Sequence, residues 1–362
     1  MIMKTVYFFP KYSAMGASSR YRIYSYLEFY RNAGYKVEVF PLFDDWYLHS
    51  RYKHESRFRI IIKILRSYIK RICILFKIPQ DGTIAYVGAE LMPGLPYIAE
   101  KILVKRHIPY ILEYDDAIFH CYDSGSKIKE ILLGNRTSKT IKNASHVICG
   151  CRYLHDYCSK YNTELSIIPT CIDKKRYIDP PKAPNEFVIG WIGSSYSSKH
   201  IKVVVPALKK LAKECKFRLR LVGFDKVYEN ELKGLPYEIV EWKEDTEVKE
   251  IGKFTVGIMP LIETPFTRGK CAFKLVQYMA VGIPTISTPL QSNIDIDSNC
   301  GNLFASSTEE WISSFKKLIL NPQMCRLIGE RNKAFALNHY TFQNNWGNYV
   351  RIFENIHLGQ YE

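Results

Sequence analysis

The sequence predicts an α/β protein built from two consecutive Rossmann-like domains. Its 362 residues exceed the size that one hydrophobic core serves well, because single domains cluster near about 100–150 residues. Short apolar runs alternate with longer amphipathic segments, which is typical of parallel sheets covered by helices. The alternation stops once, in the proline-rich segment DKKRYIDPPKAPNE over 173–186, and then resumes. We therefore expect a linker between two open sheets.

Each half of the chain supplies its own series of elements. Candidate strands of the first half are Thr5–Phe9, Lys36–Phe40, Thr83–Val87, Tyr110–Glu113, His146–Cys149 and Ser166–Ile168, and its candidate helices are 19–33, 57–77, 94–106, 126–143 and 152–160. Candidate strands of the second half are Phe187–Ile192, Arg218–Val222, Glu238–Val240, Thr255–Met259 and Thr285–Ser287, and its candidate helices are 199–213, 270–280, 306–319, 322–337 and 342–357. The expected domains are 1–178 and 185–340, followed by a C-terminal helical segment over 341–362.

Composition narrows the class of protein. No stretch reaches the roughly 18 uninterrupted apolar residues of a membrane-spanning helix, and the first residues lack the apolar core and cleavage site of a signal peptide. The ten cysteines form no C-x-x-C pair, so we expect reduced thiols, a cytoplasmic location and no metal site. The formal net charge of +15 predicts anionic partners such as nucleic acid, anionic lipid or phosphorylated ligands.

The segment RGKCAFKLVQYMAVGIP, residues 268–284, predicts a helix with a phosphate-binding start. Lys270, Lys274 and Gln277 are spaced i, i+4, i+7 and therefore share one helix face. Arg268 joins the lysines near the helix N-terminus, where cations cost up to about 1 kcal/mol until an anion docks. A diphosphate bound after the preceding strand is the functional interpretation. A solvated basic face on a surface helix is the alternative.

A glycine- and serine-rich turn that precedes the helix predicted over 199–213 is a second candidate phosphate site. In IGWIGSSYSSKH, residues 189–200, Gly193 and Ser194 follow a strand, and Lys199 adds a positive charge. Backbone N–H groups and hydroxyls in such a turn can cradle phosphate. The pattern is neither a dinucleotide fingerprint nor a P-loop, so alone it is a weak signal.

The first strand is followed by a similar turn, GASSRYR, residues 16–22. Gly16 and the serines allow a tight turn and a helix N-cap. Arg20 and Arg22 would then stand at the positive end of the helix, where their guanidinium groups suit phosphate or carboxylate. These two arginines are candidates for binding an acceptor or a phosphate, and ordinary exposed arginines are the alternative.

Two adjacent carboxylates follow the predicted strand Tyr110–Glu113. Asp115 and Asp116 stand in ILEYDDAIFH, at the edge where ligands bind in open α/β sheets. Neighbouring carboxylates raise each other's pKa, so one could accept a proton or hold a sugar hydroxyl. A helix cap or turn aspartate is the alternative.

The candidate helix 57–77 carries seven basic residues and no acidic one. Five of them fall at helical spacing opposite an Ile, Leu and Phe face: Arg59, Lys63, Arg66, Lys70 and Lys77. A basic amphipathic helix is typical of proteins that lie on an anionic membrane surface. A helix that covers the core and solvates its basic face is the alternative.

Taken together, these segments resemble the group 1 (family 4) glycosyltransferases of the GT-B fold. The resemblance rests on SSRYRIYSYLEFYRNAGYKVEVFP, LEYDDAIF, CGCRYLHDYCSKYN, IIPTCID, IGWIGSS, LRLVG and TVGIMPLIETPFTRGKCAFKLVQYMAVGIPTIST, which run through most of the chain. It implies two Rossmann-like domains facing a central cleft, and a last helix that crosses back to the first domain. It also implies retaining transfer from a nucleotide-diphosphate sugar without a required metal, the leaving diphosphate being stabilised by basic groups and helix N-termini.

The chain departs from the family pattern at one place. Where the family has two glutamates eight positions apart, this sequence has Gly269 and Gln277. Gln277 can still bond ribose hydroxyls, Gly269 has no side chain for a sugar hydroxyl, and Glu263 in the preceding loop could substitute. The family's usual histidine after the fourth strand is replaced by the Asp115–Asp116 region.

The sequence therefore predicts a glycosyltransferase that adds one sugar to a lipid-linked or surface-polysaccharide acceptor, peripheral to the inner face of the membrane and with no cofactor besides its sugar-nucleotide co-substrate. A non-catalytic sugar-nucleotide-binding protein is the first alternative, because the paired glutamates are missing. A nucleic-acid binder is the second, because of the net charge. We expect no nucleic-acid partner, since the basic residues are not interleaved with stacking aromatics.

Overall fold

The computed structural model describes residues 4–47, 56–122, 133–177 and 186–358. The chain divides into two compact units, Met1–Thr170 with Asn345–Glu362, and Cys171–Asn344. Part of the predicted linker, 178–185, and part of the predicted helix 126–143, residues 126–132, lie outside the described residues.

The first unit is a six-stranded parallel sheet in the order β2-β1-β3-β4-β5-β6. Its strands are β1 (Thr5–Phe9), β2 (Lys36–Val39), β3 (Thr83–Gly88), β4 (Tyr110–Tyr114), β5 (His146–Cys149) and β6 (Leu165–Ile167). Its helices are α1 (Ala17–Arg22), α2 (Leu27–Asn32), α3 (Arg57–Lys77), α4 (Ala99–Lys105), α5 (Arg136–Lys142) and α6 (Arg152–Cys158), with 3-10 turns at Tyr24–Tyr26 and Ile118–Cys121. The strand interiors are buried, as their near-continuous apolar sequence predicts.

The second unit is also a six-stranded parallel sheet, in the order β12-β11-β10-β7-β8-β9. Its strands are β7 (Val188–Ile192), β8 (Arg218–Val222), β9 (Tyr237–Val240), β10 (Val256–Met259), β11 (Thr285–Ser287) and β12 (Leu303–Phe304). Its helices are α7 (Ser195–Ser198), α8 (Val205–Leu211), α9 (Glu247–Ile251), α10 (Pro265–Arg268), α11 (Phe273–Val281), α12 (Gln291–Asp297), α13 (Thr308–Ile319) and α14 (Pro322–His339), with 3-10 turns at Lys174–Tyr177, Lys199–Val203 and Lys226–Leu232. This strand order is that of the dinucleotide-binding Rossmann fold.

The boundary between the units differs from the expected one. The residues after Thr170 join the second unit, because Ile172 bridges to the strand-like residue Thr341. The N–H of Ile172 donates to the carbonyl of Tyr340 at 2.8 Å. Tyr177, in the segment expected to be a linker, is buried in the core of that unit. The first part of the predicted linker is therefore structured.

The last helix, α15 (Phe342–Leu358), leaves the second unit and packs on the first, as expected. Its Tyr349 is fully buried, with its ring 4.6 Å from that of Tyr26. Phe353 packs edge-on against Tyr30 at 5.0 Å. These contacts put the aromatic face of α15 into the core of the first unit.

The helix predicted over 19–33 is broken into three parts. The α1 helix ends at Arg22, a 3-10 turn follows, and α2 begins at Leu27. Arg20 and Arg22 therefore lie in the last turn of α1, not at its start. Cations are favourable at that end of a helix dipole, so the argument that an anion must compensate them does not apply here.

Candidate functional site

The second unit has its topological switch point between β7 and β10. Chain connections diverge there, and open α/β proteins bind ligands in the crevice outside the carboxyl ends of such strands. Two loops leave the sheet at this place, Gly193–Lys199 after β7 and Pro260–Lys270 after β10. We call them the first loop and the second loop. They carry most of the residues that the sequence predicts to bind a sugar nucleotide.

Helix α11 is anchored at this edge by Tyr278. The Tyr278 hydroxyl accepts the N–H of Ile192 at 3.0 Å and donates to the carbonyl of Ile258 at 3.3 Å, which ties together the ends of β7 and β10. A side chain at Gly257 would lie 2.4 Å from the Tyr278 ring. Glycine there leaves room for the ring, which holds α11 against the ends of these strands.

Three lysines converge on the switch point, and we call Lys199, Lys270 and Lys274 the lysine cluster. The Lys199 ammonium lies 4.5 Å from the ring centre of Tyr196, and that of Lys270 lies 5.1 Å from Phe266. The Lys274 ammonium lies 4.6 Å from the ring centre of Trp191, which is buried at the end of β7. Cation–π contacts of this kind hold the ammonium groups in place over the rings.

The charges of the lysine cluster act on the imidazole of His200, which is buried. Burial first, and then the charges of Lys274, Lys199 and Lys270, lower the pKa of His200 to about 4. All three lysines thus act on one buried point. Concentrated positive charge at two loops and a helix start can bind a diphosphate.

The structure revises where two of the lysines lie on the helix. Helix α11 begins at Phe273, so Lys274 is in its first turn, whereas Lys270 precedes the helix. The two lysines therefore do not share a helix face, contrary to the prediction. Ala272 is in the left-handed conformation at φ 51° directly before the helix. Gly282 ends it at φ 90°, a conformation that glycine adopts without strain.

Arg268 is paired with Glu263 on the second loop. Their side chains approach to 2.8 Å and each is about half exposed, so the pair contributes well under about 1 kcal/mol to stability. Gly269 follows and is buried. The predicted donor residues Arg268, Gly269 and Glu263 thus lie together, with the arginine charge engaged by the glutamate.

Gln277 lies one turn after Lys274 and is 4% exposed. Its Nε2 atom has no hydrogen-bond partner within the described part of the chain. The same is true of the buried atoms Ser287 Oγ, at the end of β11, and Ser292 Oγ and Asn293 Oδ1, on α12. Buried polar atoms cost free energy unless they are paired, so these are groups that a bound polar ligand or water can satisfy.

Gly193 and Ser194 shape the first loop. A side chain on Gly193 would come within 2.6 Å of the Trp191 ring. The N–H of Ser194 donates to Ser197 Oγ at 3.1 Å, and Ser198 Oγ donates to the Ser194 carbonyl at 3.2 Å. The hydroxyls of Ser197 and Ser198 are therefore used within the loop, whereas Ser194 is exposed.

In the first unit, Asp115 and Asp116 follow β4 and are partly buried. The chain turns at once into the 3-10 segment Ile118–Cys121, because the N–H of Ile118 donates to the Asp116 carbonyl at 2.8 Å. His120 in that segment bonds the Tyr153 hydroxyl at 2.8 Å. The strand order puts these aspartates one strand away from the switch point of this sheet, which falls between β1 and β3.

Arg22 is a structural residue, contrary to its prediction as an acceptor or phosphate ligand. It is 3% exposed and forms an ion pair with Glu113 at 2.6 Å. It also donates to the carbonyl of Ile168 at 2.9 Å. Arg20 is buried as well, and donates to the carbonyl of Ala14 at 3.3 Å. Both guanidinium groups hold the fold of the first unit, because they lie inside it.

A polar cluster at the switch point of the first unit was not predicted. Glu90, which follows β3, accepts from Tyr122 at 2.7 Å and is ion-paired with Arg136. Arg136 lies 3.5 Å from Glu100, whose pKa is raised by burial. These residues are up to 46 positions apart, so no local pattern joins them. The best signal was Glu90 itself, a carboxylate directly after a buried strand.

Two further findings concern the described residues only. Within residues 4–47, 56–122, 133–177 and 186–358, no group of three His, Cys, Asp or Glu side chains is placed to hold a metal ion. In the same ranges, no helix combines the length and the apolar character needed to cross a bilayer.

Comparisons with known proteins agree with this geometry. A family model described as glycosyl transferases group 1 matches residues 186–321, whereas no curated protein sequence matches the chain. Among solved structures, sucrose-phosphate synthase from Thermosynechococcus elongatus is similar at a TM-score of 0.70 and 11% identity, covering 98% of this chain and 100% of that one. The structure of Anabaena HepE in complex with UDP-glucose is similar at a TM-score of 0.65 and 12% identity, covering 97% of this chain and 99% of that one.

A third solved structure is the apo form of the lipopolysaccharide outer core galactosyltransferase WaaB, with a TM-score of 0.62, 13% identity, and 98% and 99% of the two chains covered. Identities this low are evidence of fold, and the family match covers the unit that holds the lysine cluster. The chain therefore has the GT-B fold of these structures, and its segment 186–321 matches the family model of group 1 glycosyltransferases.

Proposed function

We propose that the protein is a retaining glycosyltransferase that moves a sugar from a nucleoside-diphosphate sugar to a lipid-linked or surface-polysaccharide acceptor, without a required metal. The observation that carries the proposal is the lysine cluster at the switch point of the second unit. Three ammonium groups around a neutral histidine suit a diphosphate, and they become most useful as negative charge develops on the leaving group. UDP-glucose in the complex of Anabaena HepE supports a uridine nucleotide as the first donor to test.

The donor assignment divides among three groups of residues. The lysine cluster, the first-loop residues Gly193 and Ser194 and the start of α11 take the diphosphate. Gln277, with its buried Nε2 unpaired among the described residues, takes a ribose hydroxyl. Glu263 takes a hydroxyl of the transferred sugar in place of the family's glutamate, provided that its pairing with Arg268 opens when the donor binds.

The first unit would bind the acceptor. Asp115 and Asp116 follow a buried strand at the ligand-binding edge of their sheet, and one of them would accept the proton of the attacking hydroxyl. Glu90, at the switch point of the same sheet, is a further candidate for holding an acceptor hydroxyl. A lipopolysaccharide outer core galactosyltransferase among the similar structures supports a glycan acceptor of the cell envelope.

A lipid-linked acceptor is met at a membrane, and α3 supports such a location. Five large apolar side chains on one face of α3 are 54–70% exposed: Phe58, Ile61, Leu65, Ile69 and Phe76. A neighbouring face carries the predicted basic residues, which are exposed as well. A soluble monomer gains nothing from an exposed apolar stripe beside a basic one, whereas an anionic bilayer accommodates both. We therefore propose that the protein is cytoplasmic and peripheral to the membrane.

The decisive experiment screens nucleoside-diphosphate sugars by thermal shift and then assays transfer with the donor that binds. A bound donor raises the apparent melting temperature. Transfer to a lipid-linked or oligosaccharide acceptor in chelator, with the anomeric configuration of the product determined by NMR, tests reaction, metal independence and retention separately. An inverted product, or activity that returns only with Mg²⁺ or Mn²⁺, contradicts the corresponding part of the proposal.

A non-catalytic nucleotide-sugar-binding protein is the second candidate, because Gly269 removes one side chain of the family's donor site. It predicts donor binding without transfer or donor hydrolysis by the purified protein, for every donor that raises the melting temperature.

A further inference from the structure

The two loops of the donor site are joined by a buried histidine. His200 follows the first loop directly and is 3% exposed. Its Nδ1 atom accepts the N–H of Ile262 in the second loop at 3.1 Å. The Ile262 carbonyl in turn accepts from Thr267 Oγ1 at 2.8 Å. The backbone of Ile262 is thus held at both its N–H and its carbonyl, and the N–H bond to His200 fixes the second loop against the first.

The hydrogen bond requires a neutral imidazole. Nδ1 accepts a proton from the backbone, so a neutral ring carries its own proton on Nε2. Protonation would turn Nδ1 into a donor facing another donor, and would add a fourth cation beside Lys199, Lys270 and Lys274. Burial and these three charges lower the pKa of His200 to about 4. The bond is therefore intact at neutral pH.

A second contact joins the loops nearer to solvent. The ring of Tyr196, in the first loop, meets that of Phe266, in the second, at a centroid distance of 6.3 Å. These are the rings under Lys199 and Lys270. The register between the loops therefore sets the spacing of the ammonium groups. Binding of a diphosphate gains from a spacing that exists beforehand, because no ordering has to be paid for on binding.

We propose that His200 is a positioning residue for the nucleoside diphosphate: as a neutral hydrogen-bond acceptor it holds the second loop against the first and so sets the spacing of the lysine cluster. This inference rests on the proposed function, since it assumes that a nucleoside diphosphate is the ligand of the cluster. It assigns a role to the last residue of the segment 189–200, for which the sequence pattern predicted none.

The test compares His200→Asn with His200→Leu in the full chain. Asparagine carries an acceptor oxygen at the same number of bonds from Cα as Nδ1, whereas leucine has similar bulk and no acceptor. Calorimetry with UDP and with uridine measures the diphosphate contribution. Loss of one hydrogen bond predicts about two- to tenfold weaker UDP binding in His200→Leu, unchanged uridine binding, and a His200→Asn variant close to wild type.

Hydrogen exchange gives a readout that needs no ligand. Peptides covering 260–268 should exchange faster in His200→Leu than in wild type, because this variant loses the acceptor for the Ile262 N–H. In His200→Asn, which keeps an acceptor, they should exchange at the wild-type rate. His146→Leu is the matched control. It removes a half-buried imidazole bonded to Ser166 in the first unit, and should leave both UDP affinity and exchange of 260–268 unchanged.

A pH series separates the neutral-acceptor role from simple packing. The pKa of His200 in the folded protein, about 4, is below the roughly 6.5 of an unfolded histidine. The unfolded state therefore binds more protons between these values, and stability falls as pH falls through that window. His200→Asn cannot take up this proton, so its melting temperature should fall less between pH 6.5 and pH 4 than that of wild type.

The outcomes are distinguishable. The inference is overturned if His200→Leu matches wild type both in UDP affinity and in hydrogen exchange of residues 260–268. It is also overturned if His200→Asn is as impaired as His200→Leu. If His200→Leu does not fold, His200→Asn and the pH series decide. If wild type binds neither UDP nor any other nucleoside diphosphate while exchange responds as expected, the proposed function fails and the loop contact stands.

Discussion

The three lysines of the cluster differ in how firmly each is held. Lys274 lies over Trp191, a buried ring at the end of a central strand. Lys199 lies over the exposed ring of Tyr196. A lysine side chain held on a rigid ring loses less conformational entropy when a ligand binds, because it has less freedom beforehand. We therefore expect Lys274 to contribute most to diphosphate binding.

Lys274→Ala should weaken UDP binding far more than uridine binding. Loss of a charge-assisted contact is worth roughly 1.5–3 kcal/mol, and uridine lacks the phosphates. Calorimetry with both ligands measures the difference. Lys202→Ala is the control, since Lys202 belongs to the same unit and pairs with Glu231 at 3.1 Å, outside the cluster. Equal losses for UDP and uridine would contradict a diphosphate role.

Asp116→Asn should lower kcat much more than it changes donor affinity. A residue that takes the acceptor proton acts in the transition state, and its loss costs about 10²–10⁴ in rate. Steady-state kinetics with the identified donor and acceptor measures this. Asp156→Asn, an exposed aspartate on α6, controls for loss of a carboxylate from the same unit. Turnover within twofold of wild type would make Asp116 structural.

Among the elements, α3 has the predicted bounds but a different number of faces from the prediction. The sequence predicted two faces, one apolar and one basic, and the bounds 57–77 are confirmed. The structure has three faces. Leu75 and Arg71 are on the buried face, Arg71 donating to the carbonyl of Phe40 at 2.8 Å. Ile61 and Leu65 belong to the exposed apolar face. A helix wheel cannot separate buried from exposed apolar residues, because that depends on what the sheet covers.

The protein should bind anionic vesicles through α3, by charge and by apolar contact. Reversing Arg59, Lys63, Arg66 and Lys70 to Glu should abolish co-sedimentation with phosphatidylglycerol-rich vesicles, since each cation near such a surface contributes about 1 kcal/mol. Replacing Ile61, Leu65 and Ile69 with Ser should weaken it at high salt as well, where charge is screened.

UDP binding by the second unit is the control for both vesicle variants and should be unchanged. If wild type fails to co-sediment even at low salt, α3 does not bind membranes and a soluble acceptor becomes the better proposal. If the serine variant binds as wild type does in high salt, the apolar face plays no part in binding.

At the scale of the whole molecule, the first unit is completed by the end of the chain. Tyr349 and Phe353, on α15, are fully buried among aromatic residues of α2 and β3. The Tyr349 hydroxyl donates to Glu113 at 3.3 Å, so α15 also reaches the buried Arg22–Glu113 pair. The core of the first unit thus depends on residues that follow the second unit in sequence.

Phe353→Ala should destabilise the first unit by about 3–5 kcal/mol, the usual cost of removing a buried phenylalanine. Hydrogen exchange measured by peptide separates the units, and exchange should quicken in β1 and β3 but not in β7 and β10. Arg351→Ala, at an exposed position of the same helix, is the control. Equal quickening in both units would mean that they unfold together.

Local patterns were enough for most elements, and they failed where tertiary packing decides. The strands Thr5–Phe9, His146–Cys149, Arg218–Val222 and Thr285–Ser287 have their predicted bounds, since short segments rich in apolar and β-branched residues can be recognised without their tertiary context. The two-residue strand Leu303–Phe304 and the short helix Pro265–Arg268 were missed. Elements this short carry too few residues for a period, and their hydrogen bonds depend on neighbouring strands and loops.

The sequence by itself determined the α/β class, the family resemblance and the basic residues that we propose for the donor site, because apolar period, motif and charge are local properties. Only the tertiary structure decided which basic residues are engaged within the fold and which lie together at the switch point. It buried Arg22 against Glu113, paired Arg268 with Glu263, and brought Lys199, Lys270 and Lys274 close enough for their charges to act on His200. The physical reason is that charge and hydrogen bonding act through space, and the two loops meet only because parallel strands end at one edge of the sheet.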